Sequence, residues 1–253
     1  MRERLRIGLF LVAAAGLAAL FWWSYRDLPP LGDYRGPYGD YITHLAVYER
    51  HATDTVNAIT YDYRGIDTLG EEFILFASVT GVLLLFRKQP EQEQKEKHSG
   101  QKKFPEDEIP GTDTVRVVMQ FMVATLVVFG IYIASHGQLT PGGGFQGGVI
   151  LATAPLLIFL AGQVHTFEKA VSHPLTEIAE ALGAGGYAII GVSALFAGAG
   201  FLTNWIPLGQ TGSLFSSGTI ECISIAVGLE VSGSFVLVMY SYLKEIIKGE
   251  GGE

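Results

Sequence analysis

The stretch Pro141-Gly142-Gly143-Gly144-Phe145-Gln146-Gly147-Gly148 lies between two long apolar runs and indicates the fold class of the chain. In a lipid bilayer every backbone N–H and C=O needs a partner, so non-helical chain is tolerated only inside protein or beside water. Glycines four residues apart, at Gly143/Gly147 and Gly144/Gly148, predict a small-residue face that packs closely against a helix. The stretch therefore predicts a packed loop at a membrane surface.

The composition also favours a membrane protein. Of 253 residues, 49% are hydrophobic and 17% are charged, whereas average soluble chains carry about 25% charged residues. A spanning helix needs about 20 mostly apolar residues. Six runs qualify, and acids interrupt the second and the sixth: Ile7–Tyr25, Thr68–Phe86, Val117–Leu139, Val149–Thr166, Leu182–Phe201 and Thr219–Leu243. The prediction is an all-α integral membrane protein with about six transmembrane helices.

The first run is also compatible with a signal peptide, because basic residues precede it. Its length and its terminal aromatic cluster, Phe21-Trp22-Trp23-Ser24-Tyr25, are typical of a membrane anchor that ends at the interface. We therefore expect an uncleaved anchor.

Basic residues near the ends of the runs predict the orientation. They precede run one, follow run two, lie between runs four and five, and follow run six: Arg2, Arg4, Arg6, Arg87, Lys88, Lys95, Lys97, Lys102, Lys103, Lys169, Lys244 and Lys248. The opposite loops, 137–148 and 202–218, carry no charged residue, although the loop after run one mixes both signs. We expect a multi-pass protein of the cell (cytoplasmic) membrane with both termini cytoplasmic.

The chain is predicted to contain two modules. Residues 89–112 are rich in charge, glutamine and proline and lack apolar periodicity, which is typical of a linker. This pattern predicts a two-span module at 1–88, a charged cytoplasmic linker at 89–112 and a four-span module at 113–253.

Several classes of function are disfavoured. A net charge of −8 argues against nucleic-acid binding, and the single Cys222 excludes a disulfide within the chain. The six histidines form no zinc-like pair, so no metal site is expected. Gly142, Gly144 and Gly147 match a dinucleotide-binding spacing, but the long uncharged run Val117–Leu139 precedes them instead of a short strand.

The start of the second run carries turn and capping residues. Gly65 permits a sharp turn after Arg64, and Asp67 or Thr68 can cap the helix that follows. Asp67 is thus equally explained as a helix start and as an ion ligand. Both interpretations stay open.

Glu71 is the first candidate for ion chemistry. It lies four residues after Asp67, so the two carboxylates share one helical face. A carboxylate within the apolar slab is costly unless it is paired or faces water, which favours a function for Glu71. Glu72 lies about 100° further round the helix and is interpreted as interfacial.

Three further titratable residues are candidates. Glu221 and Glu230 are about 13 Å apart along a helix and on opposite faces, so they are no catalytic pair. Glu230 is expected near mid-bilayer, where it is suited either to carrying protons or to a fixed hydrogen bond with another subunit. His136 is suited either to a proton relay at the outer boundary or to a helix cap.

Two segments resemble a known family. The segment His136–Gly148 resembles the signature loop of the B subunit of Mrp-type multisubunit Na⁺/H⁺ antiporters. The segment Asp62–Glu71 resembles a motif in the carboxy-terminal region of the large A subunit, which is a separate E subunit in archaeal membrane-bound hydrogenases. The resemblances cover residues 40–88 and 113–245, so the chain looks like a fusion of an E-type and a B-subunit-like (MnhB-like) piece.

The resemblance has one departure. Residues Ser224-Ile225-Ala226-Val227-Gly228 stand where many antiporter relatives carry an acid before a similar Gly-Val segment. For that reason no family role is carried over to Glu221 or Glu230.

The resemblance implies an accessory membrane subunit of a cation/proton (Na⁺/H⁺) antiporter module, coupled to a respiratory redox complex such as a membrane-bound hydrogenase or sulfane reductase. It implies other membrane subunits and lipid as partners, and whether Na⁺, H⁺ or both pass near this chain stays open. The chain has no cysteine cluster and no flavin or nickel motif, so we expect a non-catalytic subunit without a cofactor.

Within that frame, the hypothesis is that Glu71 and Asp67 line an ion path shared with neighbouring subunits, with Glu230 and Glu221 as second-rank candidates. The glycine loop is expected to pack against a partner helix. The alternatives are a subunit of a stand-alone Mrp antiporter, a purely structural scaffold, and an independent small transporter.

Overall fold

The computed structural model describes residues 2–26, 28, 30, 32, 36–86 and 112–250, except for the side chains of residues 2–4 and 246–250. These residues are nearly all helical, and none of them is in a strand, which confirms the predicted all-α class. The chain divides into two compact units, Met1–Tyr41 and Ile42–Glu253. All predicted site residues lie in the second unit.

The described residues form α-helices and one π-helical turn. In chain order these are α1 (Arg2–Arg26), α2 (Pro37–Arg50), α3 (Thr55–Ala58), the π-helical turn (Ile59–Tyr63), α4 (Gly65–Leu85), α5 (Asp113–Ser135), α6 (Gly144–Leu160), α7 (Val164–Ala170), α8 (His173–Phe196) and α9 (Thr219–Glu250).

Five of these helices, α1, α4, α5, α8 and α9, are long and apolar enough to cross a membrane. Helix α6 is apolar too, but its 17 residues extend only about 26 Å, less than a hydrocarbon core of about 30 Å. A multi-pass membrane protein follows from these lengths. The count of six spans and the cytoplasmic position of both termini stay predictions.

Several helix boundaries differ from the predicted ones, among them the start of α8 and the end of α6. Helix α8 begins at His173 rather than Leu182, because Pro174 is favourable in a first helical turn and the polar residues that follow continue the helix. Helix α6 ends at Leu160 rather than Thr166, and Gly162 then takes a positive φ of 78°.

The non-helical break is shorter than the predicted loop. Residues 136–143 are turns and irregular chain, and helix α6 begins at Gly144. Gly142 and Gly143 have φ values of 150° and 121°, which side chains disfavour, so these two positions need glycine for their backbone conformation. The later glycines of the stretch are helical.

Helix α9 is central to the second unit. It packs against α8, α6 and α4 and makes smaller contacts with α5 and the π-helical turn. Its buried Ile220, Ile223, Val227 and Val231 join a core to which the other helices and the segments between them contribute Ile42, Ala46, Ala52, Ala58, Tyr61, Leu69 and Tyr187. The most buried span of the chain is therefore also the one that carries Glu230.

The two predicted modules meet in this packing, because α4 contacts both α8 and α9. The predicted linker 89–112 lies outside the described residues, apart from Thr112. The boundaries of the modules therefore stay predictions.

Candidate functional site

The start of α4 carries an exposed ion pair. Arg64 Nε donates to Asp67 Oδ2 at 2.6 Å, and both side chains are exposed. The predicted side-chain cap at Asp67 or Thr68 is wrong, because the π-helical turn runs into α4 through Arg64 without one. Thr68 Oγ1 instead donates to the carbonyl of Thr60 at 2.7 Å. Asp67 therefore has a cation beside it.

The adjacent glutamates of α4 face different environments. Glu71 is exposed on the surface of the chain, whereas Glu72 is only 4% exposed. Glu72 Oε2 has no hydrogen-bond partner among the described residues. The interfacial interpretation of Glu72 is wrong, because its helix face is the buried one that also presents Leu69 and Val79. The spacing of Glu72 from the apolar Leu69 and Val79 was the signal in the sequence that could have shown that Glu72 is buried.

Glu230 lies in the middle of α9 and is fully buried, at 0% exposure. Within the part of the chain that the structure describes, neither of its carboxyl oxygens has a hydrogen-bond partner. Its carboxyl group is close enough to Glu72 of α4 and Glu180 of α8 to interact with both electrostatically. An ionised carboxylate buried alone costs several kcal/mol, so Glu230 holds either a proton or a cation.

Glu180 is a third buried carboxyl group, and the sequence analysis missed it. It is 4% exposed, and Ser234 Oγ of α9 donates to its Oε1 at 2.8 Å. The predicted span began at Leu182, which left Glu180 outside the membrane. Because α8 begins at His173, Glu180 lies within the helix instead. Ser234 follows Glu230 by four residues, so Glu180 approaches the same face of α9 as Glu230.

Two glycines allow α8 and α9 to approach each other at these glutamates. A Cβ atom on Gly183 would lie 2.4 Å from the backbone N of Glu230, and one on Gly233 would lie 2.9 Å from the backbone N of Glu180. Each glycine therefore lies opposite the glutamate of the other helix. The close crossing depends on both.

A cleft of about 700 Å³ opens beside Glu180. It is formed by the end of α4, the start of α8 and the end of α9. Its lining includes Phe76, Thr80, Phe86, His173, Glu177, Glu180, Tyr240, Ser241, Lys244 and Glu245. The predicted orientation places this cleft on the cytoplasmic side.

Glu221 and His136 lie apart from the three buried carboxyl groups. Glu221 is half-buried at the start of α9, within electrostatic reach of His136. His136 Nδ1 lies 3.0 Å from the carbonyl O of Tyr132, and its ring stacks on that tyrosine at 4.2 Å. These contacts fit a histidine that ends a helix. Its proposed relay role stays a prediction.

The glycine break is held by one buried amide. The two N–H groups of Asn57 Nδ2 are shared among three acceptors, Asp54 Oδ2 at 2.6 Å, Gly137 O at 2.7 Å and Gly142 O at 3.0 Å. A Cβ atom on Gly143 would lie 2.5 Å from Asn57 Oδ1. The break thus packs against the chain's own segment before α4.

The helical glycines of the stretch face two neighbours. A Cβ on Gly144 would lie 2.8 Å from Gly228 N, and one on Gly148 would lie 2.8 Å from Gly228 O, both in α9. A Cβ on Gly147 would lie 2.7 Å from Ala134 Cβ of α5. The packing face therefore meets helices of this same chain. Pro141 and Phe145 are exposed, and the Phe145 ring lies edge-on to Phe235 at 6.4 Å.

A polar network joins the segments that precede α4 and α9. Asp62 forms an ion pair with Arg50, whose Nε lies 2.8 Å from Asp62 Oδ1, and accepts a hydrogen bond from Asn204 Nδ2 at 3.0 Å. Tyr63 OH donates to Glu49 Oε2 at 2.6 Å. Burial and this bond raise the pKa of Tyr63, so the phenol stays a donor at neutral pH. The network holds the loop before α9 against the π-helical turn.

No group of three His, Cys, Asp or Glu side chains is arranged to hold a metal ion within residues 2–86 and 112–250, as far as these are described. Cys222 is a free, exposed thiol.

Comparisons with known proteins point to one family. A family model described as a domain related to the MnhB subunit of Na⁺/H⁺ antiporter matches residues 114–237. A Staphylococcus aureus protein described as antiporter subunit mnhB2 is 36% identical over 132 residues, which cover 50% of this chain and 91% of that protein.

Two similarities extend over most of the chain. An uncharacterized protein of Methanocaldococcus jannaschii is 30% identical over 228 residues, which cover 85% of this chain and 83% of that protein. A chain of the membrane-bound sulfane sulfur reductase, an archaeal respiratory membrane complex, superposes with a TM-score of 0.71 at 30% identity, covering 96% of this chain and 99% of that one.

Proposed function

Because this chain belongs to the family that shares a domain related to the MnhB subunit of Na⁺/H⁺ antiporters, we propose that it is an accessory membrane subunit of a multisubunit cation/proton antiporter module. We further propose that the module is attached to a respiratory redox complex. This chain is similar along almost its whole length to one chain of an archaeal respiratory membrane complex, and the similarity covers almost all of that chain too. This similarity supports the attachment.

The observation that carries the proposal is the exposure of Glu71 on an apolar spanning helix. A carboxylate on such a surface is costly against lipid but not against a neighbouring subunit or water. Large apolar side chains such as Phe121, Val128 and Ile131 are also exposed on α5. Both features fit a chain that other membrane subunits cover.

The chain's role in such a complex is to move ions rather than electrons. Its single cysteine provides no ligand set for an iron–sulfur centre. Glu71, with Asp67 beside it on the same surface, is placed to line an ion path at a subunit boundary. Arg64 neutralises part of the charge of Asp67, so Glu71 is the stronger candidate.

Two other functions compete with this proposal. In a purely structural scaffold, the exposed Glu71 would form a fixed bond to another subunit, so its loss would break assembly. In an independent small transporter, the chain alone would exchange ions across vesicles. The subunit proposal predicts that the chain alone is inactive.

The first prediction concerns assembly. A tagged copy of the full chain, expressed in its native host and purified in mild detergent, is expected to bring down several other membrane subunits in fixed ratio. Mass spectrometry of the purified material checks this. Recovery of the chain alone, at a detergent concentration that preserves other membrane complexes, would contradict the proposal.

The second prediction concerns Glu71. Vesicles carrying the complete complex with Glu71→Gln are expected to lose Na⁺-dependent proton movement while their subunit composition is unchanged, because the path loses its only exposed carboxylate in the apolar part of α4. Glu71→Asp is the matched control and should retain part of the rate. Normal proton movement in assembled Glu71→Gln complexes would remove Glu71 from the path.

A further inference from the structure

Three buried carboxyl groups lie close together in depth in the second unit. The close approaches of Gly183 to Glu230 and of Gly233 to Glu180 show that α8 runs antiparallel to α9. The bond from Tyr187 OH to Gly65 O places the start of α4 near the level of Tyr187, about 6 Å along α8 from Gly183. Glu72 lies about 10 Å further along α4, which brings it near the level of Glu180. Glu230 interacts with both Glu72 and Glu180, so the three carboxyl groups form a line from α4 through α9 to α8.

Glu230 and Glu180 are about one helical turn apart in this line. Gly183 is level with Glu230, and Glu180 precedes Gly183 by three residues, or about 5 Å along the axis. Ser234 Oγ, which donates to Glu180, lies on the same face of α9 as Glu230. A rotation of a side chain or one bridging water spans such a separation.

Among the described residues, no basic side chain interacts with Glu72 or Glu230, whereas His173 and Lys244 line the cleft that also contains Glu180. Helices α4 and α6 contain no Lys, Arg or His. In α5, α8 and α9 these residues lie only near helix ends, at Arg116, His173, Lys244 and Lys248. The other titratable groups close to Glu72 are the adjacent Glu71 and the hydroxyls of Tyr61 and Tyr187, both of which are buried. Buried acids without a described cation beside them, such as Glu72 and Glu230, hold protons or bind a cation.

The geometry favours protons over a bound cation. A cation site draws several oxygen ligands to one point. In the described residues no three His, Cys, Asp or Glu side chains converge in that way. The carboxyl groups are instead arranged in a row from α4 through α9 to α8, as a relay requires.

The line has an opening at one end. Glu180 lies in the lining of the cleft of about 700 Å³, together with His173, Glu177 and Lys244 near its mouth. Glu180 is thus the carboxyl group that water can approach, whereas Glu230 is sealed from it.

We propose that Glu72, Glu230 and Glu180 form a proton path through this chain, with the cleft between α4, α8 and α9 as its opening on one side of the membrane. The proposal rests on the proposed function, and it names the proton as the ion that passes inside this subunit. Glu72 lies on the buried face of α4, next in the chain to the exposed Glu71, and the two carboxyl groups interact electrostatically.

Each step moves one proton and conserves charge. A proton on the carboxyl group of Glu180 passes to the ionised Glu230, which leaves Glu180 ionised and able to take another proton from water in the cleft. Glu72 releases its own proton towards the exposed surface of α4 that carries Glu71, which leaves Glu72 ionised, and Glu230 then passes its proton to Glu72. Only one of the three groups has to be ionised at a time, so the cost of a buried charge arises once.

The test uses the complete complex in inside-out vesicles, with proton movement followed by a pH-sensitive dye after addition of Na⁺. Glu72→Gln, Glu230→Gln and Glu180→Gln are each expected to reduce the rate about 100-fold, with subunit composition unchanged. Glu168→Gln in α7 is the matched control, because it makes the same change on a partly exposed acid outside the spanning helices, and it should leave the rate unchanged. The double variant Glu72→Gln/Glu230→Gln should be no slower than either single variant, because the groups act in series.

The outcomes separate this path from other roles. Assembled Gln variants with wild-type rates would overturn the proposal. Rates restored by higher Na⁺ would also overturn it, because they indicate a cation site. If a Gln variant fails to assemble, Glu230→Asp decides: an unchanged pH profile of the rate overturns the path, and a shifted one supports it. A wild-type complex without Na⁺-dependent proton movement, or a chain that purifies alone, contradicts the proposed function itself.

Discussion

Asn57→Asp is expected to destabilise the chain by about 4 kcal/mol, because it places a carboxylate where a buried amide now donates. Asn57 Nδ2 lies 2.6 Å from Asp54 Oδ2, 2.7 Å from Gly137 O and 3.0 Å from Gly142 O. Aspartate has the same shape but no donor, so four acceptor groups would face one another away from water. The glycine break would lose its anchor, and α6 would lose its position.

The loss of thermal stability of the purified complex, and the amount of this chain retained in it, measure the effect. Gln146→Glu is the matched control, because it makes the same amide-to-carboxylate change on an exposed side chain of the same segment. We expect that variant to stay within about 0.5 kcal/mol of the wild type. Equal melting of the two variants would show that Asn57 does not hold the break.

Gly183→Ala is expected to cost about 3 kcal/mol, because the added methyl group meets backbone. Its Cβ would lie 2.4 Å from Glu230 N, 2.5 Å from Glu230 Cβ and 2.6 Å from Ala226 O. Helices α8 and α9 would have to move apart at the level of Glu230. We therefore expect both lower thermal stability and slower proton movement.

Gly185→Ala on the same helix is the control for that change. Nothing lies within 4 Å of a Cβ atom at Gly185, and alanine is about 1 kcal/mol more favourable than glycine in a helix interior. This variant should be as stable as the wild type or slightly more so. If both alanine variants melted alike, the close crossing of α8 and α9 would not exist in the assembled protein.

The helical class and the family could be predicted from the sequence because both depend on local patterns. Runs of apolar residues predict spanning helices whatever the tertiary packing of those helices is. The segments Asp62–Glu71 and His136–Gly148 are unusual enough to be recognised as family motifs. The glycine stretch was harder to interpret. Its composition marks a break, but only the packing of Gly144 and Gly148 against Gly228 of α9 shows that these later glycines are helical.

The buried carboxyl groups could not be predicted in the same way. Glu71 and Glu72 differ by one residue, and the rotation of α4 that buries Glu72 is set by its contacts with α8 and α9. Glu180 was missed because polar residues in the first turns of α8 hid where that helix begins. The apolar content of a segment shows that a helix is present, but it does not show how far the helix extends into the polar residues beside it.

Asn57 shows a third limit of the sequence. A single asparagine carries no pattern, and its partners Gly137 and Gly142 are far away along the chain. Only the fold brings that amide to the glycine break. The same holds for Asp62, which reaches Asn204 across the second unit.

The most direct test of the central claim compares vesicles that carry the full set of co-purifying subunits with vesicles that lack only this chain. We predict Na⁺-dependent proton movement in the first, its loss in the second, its recovery when the full chain is supplied again, and none in vesicles that carry this chain alone. Unchanged proton movement in vesicles without the chain, or exchange by the chain alone, would contradict its role as a subunit of an antiporter module.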